Sequence, residues 1–311
     1  MWTVGVLLPL LLVTAFLARP GGARIAPMEP ARLETHVRKL CEEFTPRDES
    51  HPENLDRAAT YIFRELRNAG GEMEEQPFEM NGTVYRNVIA RFGPETRERI
   101  VVGAHYDAAG PFPGADDNAS GIAGLIELAG LLGKSKLPTR VELVAYTLEE
   151  PPWFASPAMG SAVHAASLKK RGIPVRAMIS LEMIGYFSDA PGSQQFPLPF
   201  LKLFYPSRGN FIAVVGKLGQ GGLVRRVKKA MRRASPLPVE SISAPPSLPG
   251  VDFSDHRNYW AAGYQAVMIT DTAFYRNLNY HTEDDTPETL DYGRMGMVVE
   301  GVYGAVVALA E

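Results

Sequence analysis

Five side chains of metal-binding type, His105, Asp117, Glu150, Glu182 and His281, are spread along this chain, each at or just beyond the end of a β-like run. A sixth carboxylate, Glu149, directly precedes the third. Two imidazoles and three carboxylates can hold a pair of divalent cations with coordination positions to spare. A free carboxylate beside them is what metal-activated hydrolysis needs as a base. Metal-assisted hydrolysis is therefore the chemistry these residue types suit.

Each candidate sits in a short motif. Val101-Val102-Gly103-Ala104-His105-Tyr106-Asp107 ends a strand in histidine, with Asp107 spaced to accept the second imidazole N–H and fix the tautomer. Asp117 follows twelve residues later in Gly114-Ala115-Asp116-Asp117-Asn118-Ala119-Ser120-Gly121, which opens an apolar helix and would also serve as an N-cap cluster. Leu148-Glu149-Glu150 closes another strand; adjacent carboxylates repel, so one pKa should rise unless a cation intervenes. Glu182 interrupts the apolar run Ser180-Leu181-Glu182-Met183-Ile184-Gly185, a costly placement unless the charge is paired or bound. Tyr280-His281-Thr282-Glu283-Asp284-Asp285-Thr286 precedes the last helix, where Asp285 is expected to hold His281 and Thr286 to cap the helix.

The elements that must position these residues read as follows. Helices are expected over 30–45 and 53–70, then strands near 73–79 and 84–92 joined by an Asn81-Gly82 turn. Strands over 99–104, 140–148, 176–183, 211–216 and 265–270 alternate with helices over 120–132, 161–170, 223–234 and 287–309. Apolar strands separated by helices predict an α/β fold with a mixed, mainly parallel central sheet and helices on both faces. In such folds function collects at the carboxyl ends of the strands, where the candidate ligands lie. Two segments rich in Pro and Ser, 187–207 and 235–250, read as surface loops overhanging a cleft.

At 311 residues and 45% apolar composition there is material for one large core or two smaller ones. Net charge is −3, and the densest basic cluster (Arg225, Arg226, Lys228, Lys229, Arg232, Arg233) alternates with apolar residues at helical spacing, so it reads as a solvated helix face and nucleic acid is excluded as a partner. Residues 2–18 carry no charge and end at Arg19-Pro20-Gly21-Gly22. Residues 1–24 are accordingly read as a signal peptide or N-terminal membrane anchor, and the protein as exported: periplasmic, secreted or membrane-anchored facing outside the cytoplasm. Cys41 is the single cysteine, which rules out an intramolecular disulfide and suits a buried free thiol.

Taken together, the motifs resemble the M28 family of zinc aminopeptidases. GAHYD, the ADDNASG loop, the Glu-Glu pair, the strand end EMIG and YHTxxDT stand in that family's order, and the likeness extends over 30–311, read as the peptidase domain. The resemblance implies the zinc-dependent exopeptidase fold and two zinc ions bridged by Asp117, one completed by His105 and Glu182, the other by Glu150 and His281. It implies Glu149 as the general base, and Tyr280 as a donor to the tetrahedral oxyanion. Ser254-Asp255-His256 matches a family segment, and the segment, Asp255 and His256 included, is expected to back the ligands or line the pocket rather than to ligate. The substrate implied is a peptide shortened from its N-terminus. A carboxypeptidase or dipeptidase would need an arginine for the terminal carboxylate, for which Arg208 and Arg257 are candidates. A glutaminyl-cyclase-like enzyme shares the fold but works with one zinc, and a binding protein on a peptidase fold would not need all five ligands and the base. The family usually has Asp where this chain has Glu182, and its usual Gly-rich turn is replaced by Pro151-Pro152-Trp153-Phe154, a candidate aromatic wall or a piece of core packing.

Overall fold

The computed structural model describes residues 27–311, so the expected leader over 1–24 lies outside the described residues. Helix α1 (Pro30–Arg38) has proline in its first turn, where no intrahelical N–H is needed, and runs on into one wider turn at Lys39–Glu43. Helix α2 (Pro52–Asn68) buries Leu55, Ala58, Ala59, Ile62 and Leu66, the i, i+3, i+4, i+7 stripe of a helix with one wet face. Strands β1 (Glu72–Met80) and β2 (Thr83–Phe92) form an antiparallel hairpin. Asn81 and Gly82 both take positive φ at its turn, as a two-residue hairpin loop requires.

Strand and helix then alternate through β3 (Arg99–His105), α3 (Gly121–Leu132), β4 (Arg140–Tyr146), α4 (Gly160–Lys170) and β5 (Val175–Leu181). They continue through β6 (Ile212–Lys217), α5 (Gly221–Ala234), β7 (Val239–Ala244), α6 (His256–Ala262), β8 (Ala266–Thr270) and α7 (Tyr292–Ala310). The eight strands make one sheet in the order β1-β2-β4-β3-β5-β8-β6-β7. The central run β4-β3-β5-β8 is parallel, as is β6-β7, while β1-β2, β2-β4 and β6-β8 are antiparallel. This is the mixed α/β sheet that the pattern of apolar runs predicts.

Alternation along the strands divides the core in two. Ile100, Val102 and Ala104 of β3 face a layer built from α1, α2, α3, α5 and α7, whereas Val101 faces α4 and α6 with Val144, Tyr146 and Met178. The apolar residues of α5 are buried and its basic ones lie outward, as expected. Helix α7 is apolar enough to cross a bilayer, but Val298, Val299, Val302 and Val306 are packed into the first layer, which accounts for that character. Gly103 has a packing reason to be glycine: a Cβ there would stand 2.2 Å from the Tyr146 ring.

Two expectations fail, and one helix had drawn no expectation at all. The segment 235–250 is not all loop, because β7 lies inside it; as a half-exposed edge strand it buries only Val239 and Ala244 and so leaves no apolar run to read. Helix α6 has seven residues, too few turns to establish a period. The last helix starts at Tyr292 rather than near 287: Pro287–Thr289 is a separate 3-10 turn, and Asp291, not Thr286, caps the helix by accepting the Arg294 N–H at 2.9 Å.

Candidate metal centre

Because β3, β4, β5 and β8 are parallel neighbours, their carboxyl ends open at one place. His105 is the last residue of β3, Glu149 and Glu150 follow β4, Glu182 follows β5, and His281 lies in the connection after β8. Asp117 sits in an irregular turn, Ala115–Ser120, with non-helical angles at Asp117 and Asn118, just before α3.

Five side chains thus converge. His105 Nε2 lies 3.2 Å from Asp117 Oδ1 and 3.5 Å from Glu182 Oε2. His281 Nε2 lies 3.1 Å from Asp117 Oδ2 and 3.2 Å from Glu150 Oε2. Two groups of potential ligand atoms, His105–Asp117–Glu182 and Asp117–Glu150–His281, share Asp117 through different oxygens; a third, His105–Glu149–Glu150, overlaps them. Ligands held tetrahedrally at zinc distances stand about 3.3 Å apart, so these four separations have the length of coordination edges. Among the described residues, buried His105 Nε2, Asp117 Oδ1, Glu150 Oε1 and His281 Nε2 have no hydrogen-bond partner, a costly state for protein alone and the expected one for groups that face a cation. On donor type, spacing and orphaned atoms, these residues fit a divalent metal pair.

The electrostatics point the same way. Burial pushes Glu149 well above the usual carboxylate range and Glu150 up to about 7, and it raises Glu182. Burial also opposes ionisation of Asp117, but the His105 and His281 imidazoles beside its two oxygens outweigh it and hold that carboxyl low. Burial disfavours the charged imidazoles, yet the carboxylates overcome it: His105 is raised well above its ordinary value and His281 to about 10. A site so rich in acids, with only two imidazoles to offset them, calls for added positive charge.

The supporting residues differ in part from expectation. His105 Nδ1 meets the Asp107 carbonyl at 3.1 Å, with the carboxylate Oδ1 farther off at 3.5 Å. The other carboxylate oxygen accepts the Glu150 N–H at 3.0 Å, so Asp107 ties two candidate ligands together. Asp285 does not hold His281. Its carboxylate lies under the Asp117 turn and accepts the N–H groups of Asp116 (2.9 Å) and Asp117 (3.1 Å), which have no helical partner there. His281 is oriented instead by stacking on Tyr280, centroids 3.8 Å apart. Asp255 is fully buried, both its oxygens are without a partner, and burial pushes it up to about 7. His256 turns away from the ligands: Nε2 meets the Val251 carbonyl at 2.8 Å, its ring edge packs on Trp260, and it supports the cavity wall at Val251.

Two more residues brace the centre: Ser254, whose segment is expected to play such a part though its partner could not be named, and Asn118, which sequence reasoning missed. Ser254 donates to Glu182 Oε2 at 2.7 Å and contacts the Ser180 hydroxyl at 2.8 Å. Asn118 donates to the Leu181 carbonyl and accepts from Gly121 and Met183, joining the Asp117 turn to the end of β5. Both are small polar residues in loops, with nothing nearby in sequence to name their partners.

Beside Glu182 and Tyr280 opens an apolar cavity walled by Phe196, Leu201, Tyr205, Met268 and Phe274, so 187–207 does contribute to a cleft. Among the described residues, no lysine or arginine lines it. Arg208 is exposed outside it, and Arg257 faces Asp252 (3.4 Å) and lies over the Phe154 ring. In the Pro151–Phe154 turn Trp153 packs on the core, while Phe154 stands behind the cavity, edge-on to its lining residue Phe253, so the turn is core packing rather than a wall of its own.

A profile of peptidase family M28 matches residues 87–306. The uncharacterized protein YfbL of Escherichia coli (strain K12) is 48% identical over 281 residues, covering 88% of this chain and 86% of that one. Leucine aminopeptidase 1 of Grosmannia clavigera is 25% identical over 292 residues, which cover 87% of this chain and 65% of that relative's length. Among solved structures, the zinc aminopeptidase BSAP from Bacillus subtilis has the same fold, with a TM-score of 0.72 at 14% identity over 91% of this chain and 95% of that one. The chain belongs to peptidase family M28 and is a metallopeptidase.

Proposed function

We propose that this protein is a dizinc aminopeptidase that removes N-terminal residues with large apolar side chains from peptides. The observation that carries the reading is the pair of ligand groups sharing Asp117. His105, Asp117 and Glu182 would hold one ion, and Asp117, Glu150 and His281 the other. Bound zinc supplies Lewis acidity, lowering the pKa of water and polarising a carbonyl. Glu149, beside the ligands but 3.9 Å from His105 Nε2, takes the proton of the attacking water and hands it to the leaving amine nitrogen. Tyr280, whose phenol burial holds protonated far above its ordinary pKa, donates a hydrogen bond to the developing oxyanion. Asp107 keeps His105 and Glu150 oriented.

The apolar cavity receives the side chain of the first residue, in keeping with the leucine aminopeptidase relatives. A wall without cations suits a free ammonium and offers nothing to a terminal carboxylate, which favours the aminopeptidase over the carboxypeptidase reading. A one-metal cyclase would need only one of the two groups; the presence of both favours the peptidase. The leader over 1–24 would deliver the enzyme outside the cytoplasm.

Zinc-loaded protein incubated with free and N-terminally blocked peptides, with products read by mass spectrometry and metal by elemental analysis, tests this. The expected result is two zinc ions per chain and stepwise loss of apolar residues from free N-termini alone. Shortening from the C-terminus, ring closure at N-terminal Gln, or no product with two metals bound would each overturn it.

A further inference from the structure

Arg47 is fully buried, yet among the described residues no carboxylate lies within ion-pair distance of it. Its guanidinium is turned to three backbone carbonyls instead, with one further contact from Nη1 to the Thr45 hydroxyl at 3.3 Å. Nε donates to the Tyr106 carbonyl at 3.0 Å, Nη1 to the Leu40 carbonyl at 2.8 Å, and Nη2 to the Gly114 carbonyl at 3.0 Å. The Arg47 carbonyl in turn accepts the Ala108 N–H at 2.8 Å. Tyr106 directly follows His105, and Gly114 opens the turn that carries Asp117. One rigid fork therefore spans the two backbone segments that present His105 and Asp117 to each other.

The fit is tight on the Gly114 side. Gly114 has φ +57, and a Cβ there would lie 2.3 Å from the Asp117 carbonyl and 3.1 Å from Arg47 Nη2. The turn is thus pressed against the guanidinium, with the Asp285 carboxylate holding its next amides from the other side. A lysine could not grip the three carbonyls at once, because its single nitrogen lacks the planar fork.

We infer that Arg47 is a positioning residue for the metal centre, setting the separation of His105 from Asp117 by clamping the Tyr106 and Gly114 carbonyls. The inference rests on the metal-centre reading proposed above. Partners of this kind, one step behind the ligands, typically govern metal affinity by about 10–100-fold.

The test compares zinc affinity, measured against a competing chromogenic chelator, for the full-length wild type, R47K, R47M and L66A. Leu66 is an equally buried residue on α2, away from the ligands, and reports general destabilisation. The expected result is zinc binding weakened about 10-fold or more in R47M and by an intermediate factor in R47K, with kcat falling and KM nearly unchanged. L66A should bind zinc like the wild type despite a lower Tm. Wild-type affinity in both Arg47 variants, or an equal loss in L66A, would overturn the role of Arg47 alone. Zinc binding that H105A leaves unaltered would overturn the metal centre itself, and the inference with it.

Discussion

Replacing Glu149 by glutamine separates the base from the ligands. The swap keeps shape and one acceptor oxygen while removing the charge that takes the proton. General-base catalysis contributes about 10²–10⁴ in rate, or roughly 3–5 kcal/mol of barrier, so kcat should fall by that factor. The metal should stay, because Glu149 Oε2 lies 3.9 Å from His105 Nε2 whereas Asp117 and Glu182 oxygens lie at 3.2 and 3.5 Å. Removing one of several mutually repelling buried carboxylates should also leave the zinc-free protein as stable as the wild type or more so. The assay is kcat on a leucine p-nitroanilide, zinc content after gel filtration, and Tm in chelator. Loss of zinc together with activity would refute the reasoning, because it would make Glu149 a ligand in the alternative group with His105 and Glu150. Activity retained within a few-fold would remove it from the mechanism altogether.

Other perturbations follow from the same geometry. Asp285→Asn keeps an acceptor for one of the two backbone N–H groups and turns an NH2 toward the other; with charge-assisted bonds worth about 1.5–3 kcal/mol each, calorimetry should register a loss of that order and zinc should bind more weakly. Ser254→Ala removes the 2.7 Å bond to Glu182, so kcat should drop several-fold with little change in Tm; wild-type kinetics would show that Glu182 needs no brace. His164 and His256 are buried and held neutral, each lowered to about 4 from an ordinary 6.5. Unfolding exposes them to protonation, so stability should be full above about pH 6.5 and decline as pH falls toward 4, by about 3 kcal/mol per histidine. His164→Gln should flatten this acid limb in urea titrations at stepped pH, and an unchanged slope would disprove its share. Burial pushes the Cys41 thiol up to about 11, so native protein at pH 8 should resist alkylation while urea-unfolded protein reacts fully.

Much of the fold could be read from the chain because the signals are local. β3, β4, β5 and β8 announce themselves as short apolar runs, and a strand that ends in His, Glu-Glu or Glu states by its chemistry that something charged belongs at that end. Strand β7 escaped because an edge strand with one wet side carries no such run, and α6 because seven residues cannot establish a period. The error over Asp285 is of the same kind: four residues from His281 in sequence, it answers to the amides of Asp116 and Asp117, about 170 positions away.

By itself, then, the sequence determined which residues can ligate and that they stand at strand ends, since both follow from residue type and short-range period. Only the tertiary structure decided who braces them: Ser254 for Glu182, Asn118 for the end of β5, Asp285 and Arg47 for the Asp117 turn. Hydrogen bonds of this sort join loops from distant parts of the chain, and their partners depend on strand order in the sheet. No periodicity records that order, so the ligands were legible and the frame that aims them was not.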